Sequence, residues 1–194
     1  MKRNGHLYDY IGTHTDDLMV VAKDPRAIVD LIEQSYKMSG VGEPTFHLGC
    51  DYEKGQNGLW RIGTKTHVAE ALKKVEAIIG HQLGKESTPM VEGSEPEMDQ
   101  SPLLTTTEHR HYQQLIGIAQ WLVTCGRIDL AYALNSLSRF SATPRKGHFH
   151  AALRMFKFLK SHPIKWMTLD PSPHKPFGKL TSPHKNLDVE WQEC

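Results

Sequence analysis

Apolar residues recur along this chain with two different periods, and the change of period divides it. Between residues 7 and 23, two short apolar arms flank a polar turn. The first arm is Leu7-Tyr8-Asp9-Tyr10-Ile11-Gly12 and the second is Leu18-Met19-Val20-Val21-Ala22, with Thr13-His14-Thr15-Asp16-Asp17 between them. The continuous second run predicts a strand buried on both faces. Asp24-Pro25 then predicts a helix start, a capping side chain followed by proline at the first helical position. Ile28, Leu31 and Ile32 form its apolar stripe, with Gly40 as the stop. Residues 46–52 predict one strand and 59–62 its partner, joined by the turn chemistry of Gly55-Gln56-Asn57-Gly58.

From Thr66 the period lengthens to that of an amphipathic helix. Val68, Ala71, Leu72, Val75, Ile78 and Ile79 share one face, and Gly80 ends it. Residues 81–106 are polar and acidic with three prolines, which predicts a wrapping connector rather than a core element. Three helical stripes follow: Tyr112, Leu115, Ile116, Ala119, Leu122 and Val123; then Leu130, Ala131, Leu134 and Leu137; then Phe149, Ala152, Leu153, Phe156 and Leu159. Short loops between them predict antiparallel packing neighbours. After Pro163 the chain is proline-rich, and only residues 165–169 read as a strand. The fold class expected is α+β: hairpin, helix, hairpin with an antiparallel sheet, then a helical bundle.

Composition modifies this picture in one respect. Over 194 residues the formal net charge is +1, so whole-chain charge does not announce a nucleic-acid binder. Its distribution is uneven. Residues 145–185 hold nine Lys or Arg against the single acid Asp170, whereas residues 86–108 hold six acids and no Lys or Arg. A basic end beside an acidic connector fits one anion-facing surface, or simply an unevenly charged solvated face. Cys50, Cys125 and Cys194 are far apart in sequence and show no metal-binding or disulfide spacing, so reduced thiols and an intracellular location, cytoplasmic or nuclear, are expected. The pairs His109/His111 and His148/His150 lie two apart, which on a helix points them in different directions and argues against metal sites. No secretory segment or long apolar run is present, so no membrane partner is expected.

The candidate chemistry sits at Asp16 and Asp17. Adjacent carboxylates at a hairpin tip repel and raise each other's pKa, and a divalent cation relieves that repulsion. Mg²⁺ favours hard oxygen ligands and commonly takes one or two carboxylates together with substrate phosphates. Consecutive strand residues face opposite ways, so only a turn lets both lean toward one site. An Asp-Asp pair alone is ordinary turn composition; the order of apolar arm, doublet, apolar arm, capped helix and second hairpin is much rarer.

That order resembles the reverse transcriptase of copia-type retrotransposons, the RNA-directed DNA polymerase region of the Pol polyprotein. The family's Tyr-Val-Asp-Asp hairpin corresponds to His14-Thr15-Asp16-Asp17, with the first two positions changed. Phe46-His47-Leu48-Gly49-Cys50-Asp51-Tyr52 resembles the family's Phe-Leu-Gly-Ile-Glu strand, and Ser87-Thr88-Pro89-Met90 its connector. Tyr112-Gln113-Gln114-Leu115-Ile116-Gly117 resembles Tyr-Arg-Gln-Leu-Ile-Gly, and Arg127-Ile128-Asp129-Leu130-Ala131-Tyr132-Ala133 resembles Arg-Pro-Asp-Ile-Ala-Tyr-Ala. Leu137-Ser138-Arg139-Phe140, Pro144, His148 and Leu159-Lys160 continue the series, which covers residues 5–162.

The resemblance implies residues 1–65 as a partial palm, 66–80 as a thumb helix, 81–106 as an acidic connector, 107–162 as a helical thumb or connection region, and 163–194 as a tail toward a ribonuclease H domain. It implies Asp16 and Asp17 as catalytic ligands of Mg²⁺ (or Mn²⁺) in two-metal nucleotidyl transfer, and His14 and Thr15 at the nucleotide pocket. His47, Gly49, Arg145, Lys146, Arg154, Lys157 and Lys160 would contact nucleic acid. The partners implied are an RNA or DNA template-primer and a dNTP, with pairing to an N-terminal half. Fingers, a third palm Asp and ribonuclease H are missing from this stretch, and Asp188 and Glu190 are too isolated to replace the latter's acids. The expectation is therefore a fragment that is inert alone. The competing readings are a non-catalytic module binding nucleic acid or a partner chain, and a metal-dependent phosphohydrolase, which lacks a third carboxylate or general base near the pair.

Overall fold

The computed structural model describes residues 2–3 and 7–170; for residues 2, 3, 7 and 8 only the backbone path is considered. Strands β1 (Lys2–Arg3) and β2 (Leu7–Tyr8) pair antiparallel with each other. A second hairpin joins β3 (Tyr10–His14) to β4 (Asp17–Val21), in antiparallel register from Tyr10↔Val21 to His14↔Asp17. Helix α1 (Pro25–Glu33) follows, capped by the Asp24 carboxylate, which accepts from the Ala27 N–H at 3.2 Å. Three strands, β5 (Phe46–His47), β6 (Cys50–Lys54) and β7 (Trp60–Gly63), then form a meander. The remaining elements are α2 (Lys65–Ile79), α3 (Thr106–Thr124), α4 (Ala131–Ser138), α5 (Lys146–Ser161) and a last strand β8 (Trp166–Thr168), which pairs with β7. The class is α+β with antiparallel sheets, as expected from the sequence.

One core serves the four later helices. Val68, Ala71 and Val75 of α2 meet Tyr112, Leu115, Ala119 and Leu122 of α3, Leu134 and Leu137 of α4, and Ala152, Met155, Phe156 and Leu159 of α5. Met155 apart, these belong to the stripes read from the 3.6-residue period. Gly80 closes α2 with φ of 74°, a left-handed C-cap that glycine adopts without a Cβ penalty. Thr105 and Glu108 make a reciprocal capping box at the start of α3. Buried Tyr112 donates its hydroxyl to the Leu137 carbonyl at 2.6 Å, tying α3 to the end of α4. The connector 81–106 wraps as expected, but it also contributes Leu83, Met90 and Leu104 to the core. It is held to α5 by Glu86 N–H donating to the Lys157 carbonyl, and Lys146 N–H to the Pro102 carbonyl.

Several local expectations are corrected. Residues 46–52 are not one strand. Leu48 (φ 49°) and Gly49 (φ 81°) form a two-residue turn with both central residues left-handed, the primed geometry that suits the twist of a hairpin, so β5 and β6 are separate strands. Strand β4 is not buried on both faces: Leu18, Met19 and Val20 are half-buried, and Asp17 and Val21 are exposed. The β3–β4 hairpin pairs with no other described strand; α1 packs against β4, and β3 is exposed along its length. Helix α1 ends at Glu33, with Gln34 as its C-cap, rather than at Gly40, and its inward residues are Ile28, Val29 and Ile32, while Leu31 is 66% exposed. The strand expected within residues 165–169 is present as β8. The rest of the tail, including Asp188, Glu190 and Cys194, lies outside the described residues.

Candidate functional site

The acidic pair lies at the tip of the β3–β4 hairpin. With His14 paired to Asp17, the loop is only Thr15-Asp16. Thr15 has φ of 54°, a left-handed conformation that strains a β-branched residue by roughly 1–3 kcal/mol. That turn brings Asp16 into the loop and leaves Asp17 as the first residue of β4. His14, Thr15, Asp16 and Asp17 are all exposed. Neither carboxylate has an ion pair or a hydrogen bond to another described residue. Among the described residues, no three His, Cys, Asp or Glu side chains cluster as a metal site. The donor set thus suits one or two positions on a hard cation and leaves the remaining positions to other ligands.

The residues assigned to nucleic-acid contact divide into two sets. Arg145 donates through Nη1 to the Ser101 carbonyl at 2.6 Å. Arg154 pairs with Glu86 at 3.0 Å and donates to Thr88 Oγ1 at 3.1 Å. Lys160 Nζ reaches Glu76 at 2.7 Å and the Leu83 carbonyl at 2.8 Å. Its hydrogen bond, with one from the Leu83 N–H, lowers the Glu76 carboxyl below its ordinary range. These three basic side chains hold the acidic connector onto α2 and α5. Lys146 is exposed and Lys157 half-buried, and among the described residues neither side chain makes a hydrogen bond or close ion pair. His47 precedes the primed turn and Gly49 is its second loop residue. A Cβ on Gly49 would lie 3.1 Å from Trp121 Nε1 and 3.4 Å from Cys125 Sγ, so this turn rests against the end of α3.

Three arrangements were not readable from the sequence. Asp51 on β6 accepts from the Thr66 N–H at 2.9 Å and from its hydroxyl at 2.5 Å, which caps the first turn of α2 from a different element. Arg127, only 1% exposed, grips Asp129 with two parallel bonds, Nε to Oδ1 at 3.0 Å and Nη2 to Oδ2 at 2.9 Å. Its guanidinium lies 6.0 Å from the Phe158 ring centroid, while Nη1 is buried without a partner among the described residues. Burial raises the Asp129 carboxyl, but the hydrogen bonds and charge of Arg127, with Lys165 nearby, outweigh it and hold the group below the usual carboxylate range. Finally, buried His148 accepts the Arg145 N–H at Nδ1 and donates from Nε2 to the Pro96 carbonyl at 2.8 Å, stacked on Phe140 at 4.1 Å. His148 is thus a structural clamp, and the signal for it was its position three residues into α5.

The chain is similar, at low identity, to transposon-encoded proteins, several of them retrovirus-related Pol polyproteins. It is 29% identical over 159 residues to a transposon Ty5-1 protein of Saccharomyces cerevisiae, covering 77% of this chain and 48% of that protein. It is 23% identical over 192 residues to the retrovirus-related Pol polyprotein from transposon RE1 of Arabidopsis thaliana, covering 97% of this chain and 12% of the relative. A Pol polyprotein from transposon TNT 1-94 of Nicotiana tabacum matches at 24% identity over 161 residues. The chain therefore spans about half the length of the first relative and about an eighth of the second. No family model and no solved structure matches it. No helix among the described residues is long and apolar enough to cross a membrane.

Proposed function

We propose that this chain, similar to retrotransposon Pol polyproteins, is the later palm and thumb portion of a copia-type reverse transcriptase and supplies two of its metal-binding carboxylates. One observation carries the reading: Asp16 and Asp17 stand exposed, with no hydrogen bond or ion pair among the described residues, at a strained two-residue hairpin tip. A structural role would give those carboxylates a donor to accept from, as Asp24, Asp51, Asp99 and Asp129 each have here. Asp16 and Asp17 would hold Mg²⁺ or Mn²⁺, which in such a site activates a 3′-hydroxyl and neutralises phosphate charge. The chain's own contribution is to fix Asp17 in the last pair of a short hairpin and Asp16 in the loop just beyond it. His14 and Thr15 would face the incoming nucleotide from the same tip, and the β5–β6 turn with Lys146 and Lys157 would contact the template-primer.

Two carboxylates do not complete a two-metal site, so residues 7–170 should be inert without a further ligand and a template platform from elsewhere. The purified chain with primer, template, dNTPs and Mg²⁺ should give no extension. Co-expression with a matching palm and fingers segment from a related Pol polyprotein should restore synthesis, and both Asp16→Asn and Asp17→Asn should abolish it. Restored synthesis that survives both substitutions would overturn the assignment of the pair. Extension by the chain alone, lost on Asp16→Asn, would overturn its inertness.

A further inference from the structure

Cys50 and Cys125 are 75 residues apart in sequence but share one contact in space. Cys50 opens β6 directly after the Leu48-Gly49 turn, and Cys125 caps the C-terminus of α3. The Cys50 thiol donates to the Cys125 carbonyl with Sγ···O of 3.6 Å, and the Cys125 thiol donates to the Leu48 carbonyl at 3.8 Å. Each sulfur therefore lies against the backbone that carries the other. Gly49 makes this approach feasible: its missing side chain lets the turn rest on Trp121 and on the Cys125 sulfur. Both thiols are reduced in this structure.

We propose that Cys50 and Cys125 form a dithiol modification site that hydrogen peroxide closes into an intramolecular disulfide, stapling the β5–β6 turn to the end of α3. Cys50 is half-buried whereas Cys125 is 8% exposed, so Cys50 meets the oxidant first. Its sulfur attacks peroxide, the O–O bond breaks, and a sulfenic acid forms with release of one water. The Cys125 sulfur then attacks the Cys50 sulfur. The S–S bond forms, the S–O bond breaks, and the departing hydroxide leaves as a second water with the Cys125 proton. Two thiols lose two electrons in all, and the peroxide gains them.

Burial pushes the Cys125 thiol up to about 11, with the charge of Cys50 and a hydrogen bond to it adding to the rise. Cys50 is also raised, by burial first and by Asp51 as well, although its hydrogen bond to Cys125 opposes this. The thiolate is the reactive species, so closure is slow near neutral pH and accelerates as pH rises.

The test uses the full chain carrying Cys194→Ser, so that only two cysteines remain. After hydrogen peroxide, alkylation under denaturing conditions and proteolysis without reductant, the expected product is one bridged peptide containing Cys50 and Cys125. The bridge should form faster at higher pH and disappear with dithiothreitol. The oxidised monomer should melt higher by roughly 5–15 °C, with the gain lost on reduction. The Cys50→Ser variant should form no intramolecular bridge. Recovery of Cys125 as an alkylated free thiol beside over-oxidised Cys50 would overturn the proposal, as would a bridge found only between two molecules.

Discussion

Truncating Asp129 to alanine should be among the most destabilising single substitutions in the helical core, although it removes few atoms. The carboxylate is 13% exposed and its partner Arg127 is 1% exposed. Removal leaves a buried guanidinium with Nε, Nη1 and Nη2 all unpartnered, since Nη1 already lacks a partner among the described residues. Breaking a buried pair from one side costs about 3–5 kcal/mol, a large fraction of the roughly 5–15 kcal/mol available to a domain of ordinary stability. With a urea dependence of about 1–3 kcal/mol per molar, the unfolding midpoint should fall by at least roughly 1 M at unchanged slope. The double variant Arg127→Met/Asp129→Leu should recover most of the loss, because it removes both the charge and its counter-charge. The pH dependence has a defined sign. The Asp129 carboxyl is lowered in the folded state, so its contribution is full above the ordinary carboxylate pKa of about 4 and disappears as pH falls through the lower folded value. A midpoint change below about 0.3 M for Asp129→Ala, or a double variant as unstable as the sum of the single ones, would refute the reasoning.

Other outcomes can be checked on the same purified chain. Tyr112→Phe keeps the ring in the core and removes one bond from the Leu137 carbonyl, which still accepts the Phe140 N–H, so it should cost about 0.5–1.5 kcal/mol in urea unfolding with no change in far-UV circular dichroism. Gly63→Ala would place a Cβ 2.5 Å from Trp166 Cε3 and 2.9 Å from the Lys165 carbonyl, displacing β8. The expected cost is about 1–3 kcal/mol, with Trp166 emission shifted toward that of a solvated indole; unchanged emission and stability would argue against the β7–β8 pairing. Glu76→Gln should loosen the connector near Leu83, read as faster amide exchange at Leu83 and Glu86 while α3 stays protected.

Elements whose stability comes from their own periodicity were legible in the sequence. Helices α2, α3 and α5 carry stripes long enough to announce both their existence and their buried faces, and Gly80 marks an end because its left-handed φ favours glycine. The β5–β6 turn was not legible, because Leu48 occupies a left-handed position normally signalled by Asn, Asp or Gly. Strand β4 reads as doubly buried because its run is apolar, yet burial depends on which layers cover it, a property of the whole fold rather than of residues 18–22. The hairpin tip was found at the right residues, since a polar turn between two apolar arms is a local signal. The internal engagement of Arg145, Arg154 and Lys160 was not, because charge counts along the chain cannot show that the acidic connector folds onto the basic helix.

The pairing of β8 with β7 has a consequence for the order in which the molecule assembles. Trp166 and Met167 meet Gly63 and Ile62, and Leu169 N–H reaches the Trp60 carbonyl at 2.8 Å, across more than a hundred residues of intervening chain. The connector is likewise secured by α5, which is made later: Pro102 waits for Lys146 and Glu86 for Lys157. During synthesis, the meander therefore waits with a bare β7 edge until the ribosome has released residues 166–169. Contacts of such long sequence separation form slowly, and an unpaired strand edge is the surface on which nascent chains associate. A protein built this way depends on the interval between making Gly63 and delivering Trp166, and slowing translation between them should raise its aggregation even though the finished fold is unchanged.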